Sequence, residues 1–99
     1  MNKDPKTIIE LIVNDHPGVM SHVTGLFARR AFNLDGILCG GMEDGARSRM
    51  YLLVNDDERL EQIIKQIEKL YDVLEVAVLK DSDHTIFHRL QEIVFRKIG

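Results

Sequence analysis

Asn14-Asp15-His16-Pro17-Gly18 joins a β-branched run to an apolar-periodic stretch that begins at Val19. Pro17 fixes its own φ and drives His16 toward extended geometry, while Gly18 has no side chain to obstruct an approaching ligand. A strand that passes into a helix in this way leaves first-turn amides without intrahelical partners. Those N–H groups and the helix dipole favour a carboxylate or phosphate. Asp15 offers the complementary partner, a carboxylate able to accept from an ammonium. A zwitterionic amino acid satisfies both. Asp-x-Pro-Gly is equally ordinary helix-start chemistry, in which Asp15 would cap the backbone itself.

The elements that must hold this junction follow from periodicity. Thr7, Ile9, Leu11 and Val13 alternate with Ile8, Glu10 and Ile12, the pattern of a strand with one wetter face. Met20, Val23, Leu26, Phe27 and Ala31 recur at helical spacing from Val19 onward. Asn33 to Met42 reads as a second strand, loosened at Gly36 and Gly40-Gly41 into a bulge or an edge. Glu43-Asp44-Gly45 signals a hairpin into a third strand, in which Ser48, Met50, Leu52 and Val54 share a face. Asn55 to Glu58 is a helix-start cluster, followed by the stripe Leu60, Ile63, Ile64, Ile67, Leu70 and Tyr71. Val73 to Leu79 closes as a fourth strand, with Leu74, Val76 and Val78 on one face. The order β-α-β-β-α-β with right-handed crossovers predicts an α+β, ferredoxin-like domain: a four-stranded antiparallel sheet with two helices on one face. Asp83 is placed to cap a further helix from His84, striped by Ile86, Phe87, Leu90, Ile93, Val94 and Ile98. The reading is a domain over 1–80 and an amphipathic helical tail over 81–99, which either folds back on its own domain or docks on another chain.

Composition removes several function classes. Ninety-nine residues, 44% hydrophobic, suffice for one core. A net charge of −3 argues against nucleic acid, and Tyr51 is the only aromatic on strands one and three, where an RNA-recognition sheet needs several. No apolar run is long enough to span a bilayer and the N-terminus lacks a secretory signal, so a cytoplasmic protein is expected, with no membrane partner. Four histidines and one cysteine form no tetrahedral ligand set, so no metal site is expected. Cys39 lies between apolar residues and reads as a small buried hydrophobe. No nucleophile–base arrangement or carboxylate pair marks an active site, which leaves no catalytic residues and a binding module as the remaining class.

The run His16-Pro-Gly-Val-Met-Ser-His-Val-Thr-Gly-Leu-Phe-Ala-Arg-Arg-Ala-Phe-Asn33-Leu, then Asp35-Gly-Ile-Leu-Cys39, closely resembles the small regulatory subunits of acetolactate synthase (acetohydroxyacid synthase). These belong to the ACT-domain amino-acid sensors. The likeness continues through Leu52-Leu-Val-Asn-Asp-Asp57 and Arg59-Leu-Glu-Gln-Ile63 to about Val76, and is of the short single-ACT bacterial type, isozyme I-like. It implies a non-catalytic subunit that activates a separate large subunit and mediates feedback inhibition by valine. Thiamine diphosphate, Mg²⁺ and FAD would belong to that large subunit, and this chain would hold no cofactor. It further implies a homodimer through the ACT domains, with valine at the interface. Carried over by position, the ligand-binding residues are Asp15, His16, Pro17, Gly18, Val19, Met20 and Ser21, with Asn33 beginning the strand that faces the partner. The amides of Gly18, Val19 and Met20 would take the carboxylate, Asp15 or Asn33 the ammonium, and Ser21 a further hydrogen bond. Met20, Ile37 and Leu38 are candidates for the apolar pocket, although Ile37 and Leu38 share a face only if a bulge intervenes. Many such subunits carry Asn where this chain has Asp15. One methylene is worth only ~1 to 3 kcal/mol, so valine is not separable from isoleucine or leucine by sequence. The alternatives are a ligand-insensitive activating subunit and a free-standing ACT sensor of another amino acid.

Overall fold

The computed structural model describes residues 6–79. The proposed tail over 81–99, its cap Asp83 and the pair His84 and His88 lie outside the described residues.

Six elements follow in the expected order: β1 (Lys6–Asn14), α1 (Val19–Arg29), β2 (Leu34–Gly41), β3 (Arg47–Asn55), α2 (Leu60–Glu68) and β4 (Val73–Leu79). The strands form one antiparallel sheet in the order β2-β3-β1-β4, which is the ferredoxin-like arrangement. Register explains the core. Ile9 stands opposite Leu52 and Leu11 opposite Met50, so one sheet face presents a continuous apolar surface. That face packs against Val19, Val23, Leu26 and Phe27 of α1 and Leu60, Ile63 and Ile67 of α2, all buried. At roughly 1.5 to 3 kcal/mol for each large side chain removed from water, this cluster is the main source of stability. Thr7 belongs to the same face and is fully buried, with its hydroxyl unpartnered.

Four sequence expectations are corrected. The stripe of α1 begins with Val19, while Met20 is 39% exposed and Ala31 lies beyond the helix in the left-handed region, at φ +54°. There the amides of Ala31 and Phe32 bond back to the carbonyls of Ala28 and Phe27, a Schellman closure usually built on glycine. Phe32 then packs edge-on against Phe27, with ring centroids 5.9 Å apart. Tyr71 falls outside α2, which ends at Glu68, and is 91% exposed. In β4 a register shift against Ile12 and Val13 turns Val73 toward the core and leaves Leu74 exposed, because a bulge inverts the alternation. Cys39 is exposed, not buried, since β2 is an edge strand and Gly40 and Gly41 beside it have no side chains to cover it.

Candidate functional site

The junction between β1 and α1 is held from two sides. Asn14 donates its amide to the Asp72 carbonyl (2.9 Å), tying the loop to the α2–β4 turn, and Asp15 donates its own to the Ala46 carbonyl (3.0 Å), tying it to the β2–β3 hairpin. Asp44 braces that hairpin in turn, accepting from the amides of Ala46 and Arg47 and from the Arg47 guanidinium. These bonds to Asp44, that from Ala46 foremost, hold its carboxyl below the ordinary range.

Gly18 is the N-cap of α1, at φ +95°, and no side chain caps the helix. Asp15 therefore does not act as the helix cap. Its carboxylate is exposed and has no hydrogen-bond or ion-pair partner among the described residues. The glycine has two physical roles. Its positive φ suits only a residue lacking Cβ, and a Cβ built there would meet nothing within 4 Å, so the space over the helix start is open. The Val19 amide turns back on the His16 carbonyl at 3.3 Å and the His22 amide bonds the Gly18 carbonyl at 2.9 Å. Among the described residues this leaves the amides of Gly18, Met20 and Ser21 without a partner at the helix start, so Val19 is not among the free amides. Val19 instead anchors the turn in the core.

A charged contact that sequence reading missed fixes the loop. His16 Nε2 lies 2.7 Å from Asp72 and its Nδ1 lies 2.6 Å from the Pro17 carbonyl. The Pro17 carbonyl first, then Asp72, raise the imidazole pKa above its ordinary value, with Asp15 adding to the effect. Burial pushes the Asp72 carboxyl up, but the bonds from His16 and Asn14 and the charges of His16 and His22 outweigh it and hold it low. His22 approaches Asp72 at 3.7 Å from the second turn of α1. The signal that could have found Asp72 was its place immediately before β4, level with the end of β1.

Asp15, His16, Pro17, Gly18, Met20 and Ser21 are all exposed, so in one chain the seat is an open surface and not an enclosed cavity. The other candidates are elsewhere. Leu34 lies level with Thr7 and Gly41 level with Val13, so the two ends of β2 are roughly 20 Å apart at about 3.3 Å per residue, and Asn33 and Asp15, each beyond one of those ends, stand further apart still. Asn33 donates to Asp35 (2.7 Å), which also pairs with Lys6. The β2 register shift falls between Leu34 and Gly36, too early to bring Ile37 and Leu38 together. Ile37 packs toward the core, whereas Leu38 lines an open concavity of about 790 Å³ with Tyr51, Arg47 and Arg49 on the opposite face. There Tyr51 donates to Glu10 (2.8 Å), which raises the phenol pKa. Cys39 is exposed on the edge strand, yet partial withdrawal of its thiol from water, first, and the charge of Asp15, second, raise its pKa.

Among the described residues no group of three or more His, Cys, Asp or Glu could hold a metal ion, and no helix is long and apolar enough to cross a membrane. Known proteins give this architecture an identity. Residues 9–75 match the model of the AHAS small subunit-like ACT domain. The chain is 58% identical over 83 residues to the acetolactate synthase isozyme 1 small subunit of Escherichia coli K12, covering 84% of this chain and 85% of that one. It is 41% identical to the acetolactate synthase small subunit of Mycobacterium bovis, covering 87% of this chain but 52% of that longer relative. The crystal structure of the acetolactate synthase small subunit from Thermotoga maritima superposes with a TM-score of 0.67 at 39% identity, over 74% of this chain and 46% of that one. The regulatory subunit of aspartate kinase from Thermus thermophilus shares the fold, with a TM-score of 0.68 at 23% identity, over 80% of this chain and 53% of that one. The chain belongs to the family of acetolactate synthase small subunits built on an ACT domain, and is a regulatory and not a catalytic subunit.

Proposed function

We propose that two copies of this chain pair through their β2 edges and bind valine between them. The bound valine would inhibit an acetolactate synthase large subunit that the same chain otherwise activates. The observation that carries this reading is the uncapped start of α1. Gly18, Met20 and Ser21 offer amides to a carboxylate, and an unpartnered Asp15 stands beside them for the ammonium. Pairing is supported by the separation of Asn33 from this seat. An antiparallel β2–β2 contact brings the first residues of one β2 to the last residues of the other, so Asn33 of a second copy would approach the loop that its own chain cannot reach. Exposed Met20 would then supply apolar contact and the second copy would exclude water. Thiamine diphosphate, Mg²⁺ and FAD would remain with the large subunit.

Coupling to the large subunit requires valine to bind two states of the complex unequally. The β1–α1 loop is tied both to the hairpin through Ala46 and to the α2–β4 turn through Asp72, so a ligand that moves this loop moves both. Calorimetric titration of the full chain with valine, isoleucine and leucine, followed by acetolactate assays with the large subunit, tests the proposal. Saturable heat with valine and a fall in the activity of the complex are expected. Absence of heat with all three amino acids would overturn it.

A further inference from the structure

The His16 ring is clamped between two acceptors. Its Nε2 lies 2.7 Å from the Asp72 carboxylate and its Nδ1 lies 2.6 Å from the Pro17 carbonyl, so both ring nitrogens face an oxygen at hydrogen-bonding distance. A neutral imidazole carries one N–H and can donate only once. Both contacts are satisfied together only by the imidazolium, and removing its proton leaves one nitrogen lone pair facing an oxygen. Asp72, as an anion, accepts the stronger, charge-assisted bond, so the neutral ring keeps its proton on Nε2 and loses the bond to Pro17. Among the described residues the charged groups against the ring come from three segments. Asp72 stands in the α2–β4 turn and Asp15 in the loop of His16 itself, and both favour the cation, while His22 approaches Asp72 from α1 at 3.7 Å and competes for it when charged. The Pro17 carbonyl first, then Asp72, raise the pKa of the ring above its ordinary value.

The bond that neutralisation breaks is the one that orients the seat. The Pro17 carbonyl and the Gly18 N–H belong to a single trans peptide, in which C=O and N–H point opposite ways. Holding the carbonyl against His16 therefore aims the Gly18 N–H away from the ring. That N–H has no partner among the described residues, and the space over the helix start is open. Gly18 tolerates both signs of φ, so the peptide is free to turn once its carbonyl is released. We infer that His16 is a proton switch for the amino-acid seat: the imidazolium holds the Pro17–Gly18 peptide with the Gly18 N–H presented to a carboxylate, and the neutral ring releases it. This rests on reading the start of α1 as the seat of valine, and adds the regulation of that seat. Binding is then coupled to proton uptake. The protonated form binds the ligand better, so affinity is highest at low pH and falls as pH rises through the titration of His16, while valine stays zwitterionic throughout. His16 is exposed, so bulk solvent sets its charge. Acid sharpens the response to the effector and alkali blunts it.

The test is calorimetric titration of the full chain with valine from about pH 6 to about pH 8.5, joined to NMR of the histidine rings and the Gly18 amide. Affinity should fall roughly tenfold or more across this range, the worth of one hydrogen bond to a charged group. The heats should also differ between buffers of unlike ionisation enthalpy, as proton uptake requires. His16→Gln should lose the pH dependence and His22→Asn should keep it. Without ligand, the Gly18 amide resonance should titrate together with the His16 ring nitrogens, and the neutral ring should carry its proton on Nε2. Affinity that is level across the range, or a dependence that persists in His16→Gln, overturns the switch and leaves the seat standing. A Gly18 amide indifferent to the His16 titration overturns it as well. Absence of heat at every pH overturns the seat and the switch with it. If His16→Gln does not fold, the wild-type resonances decide.

Discussion

Gly18 separates backbone strain from electrostatics, because two substitutions there share the first and differ in the second. At φ +95° any Cβ costs about 1 to 2 kcal/mol, and Asp tolerates the left-handed region at least as well as Ala. Neither substitution meets a steric obstacle, since nothing lies within 4 Å of the built Cβ. Both Gly18→Ala and Gly18→Asp should therefore fold, with similar modest losses in denaturant midpoint. Binding should part them. A carboxylate about 4 Å from the ligand's own carboxylate repels it by ~1 kcal/mol in water and ~4 kcal/mol at an effective dielectric of about 20. That corresponds to a valine affinity lowered from about fivefold to about a thousandfold, with the loss shrinking as salt is added. Gly18→Ala should stay within several-fold of the wild type. Calorimetry at two ionic strengths, alongside urea unfolding, measures all of this. A Gly18→Asp protein that binds valine as well as Gly18→Ala would refute the reasoning, because the carboxylate would then lie elsewhere.

Three other substitutions probe the frame around the site. Ala31→Gly relieves the left-handed C-terminal closure of α1 and should gain about 1 kcal/mol, raising Tm by about 4 to 8 °C at fixed protein concentration. Thr7→Val replaces a buried hydroxyl that has no partner among the described residues by a methyl group and should stabilise by about 1 to 3 kcal/mol in urea unfolding. Asp72→Asn tests the charged clasp on the loop. Because the His16 pKa is raised, the contribution of the His16–Asp72 pair is fully present below about pH 6.5 and is lost as pH rises through the raised value. The lowered Asp72 pKa adds a second loss, as acid protonates it below the ordinary carboxylate range. The stability gap between wild type and Asp72→Asn should thus be widest between these limits and narrow on either side, as unfolding measured across pH will show.

Most of the fold was legible because it rests on local periodicity. The alternation from Thr7 to Val13 and the stripe from Leu60 to Ile67 each dictate a buried face without reference to the rest of the chain. The misplacements occur where backbone conformation breaks the period. The bulge in β4 exchanges Leu74 for Val73, and the left-handed Ala31 ends α1 while its sequence still looks helical. Cys39 was misread for a different reason: apolar neighbours do not bury a residue on an edge strand. At the candidate site the loop from Asp15 to Ser21 was readable, since Pro17 and Gly18 announce an uncapped helix start. Asp72 was not, because its contact with His16 joins residues 56 positions apart and depends on how α2 returns the chain to β4. The separation of Asn33 from Asp15 likewise emerges only from strand register.

A site shared between two chains is open to direct trial with mixed dimers. Combining Gly18→Asp chains with Asn33→Ala chains places both defects in one of the two composite sites and leaves the other intact. Each homodimer of a single variant should bind valine weakly or not at all, while the mixed dimer should recover one wild-type site per dimer. Mixed dimers that bind no better than the two homodimers would contradict a seat built from one chain's helix start and the other chain's Asn33.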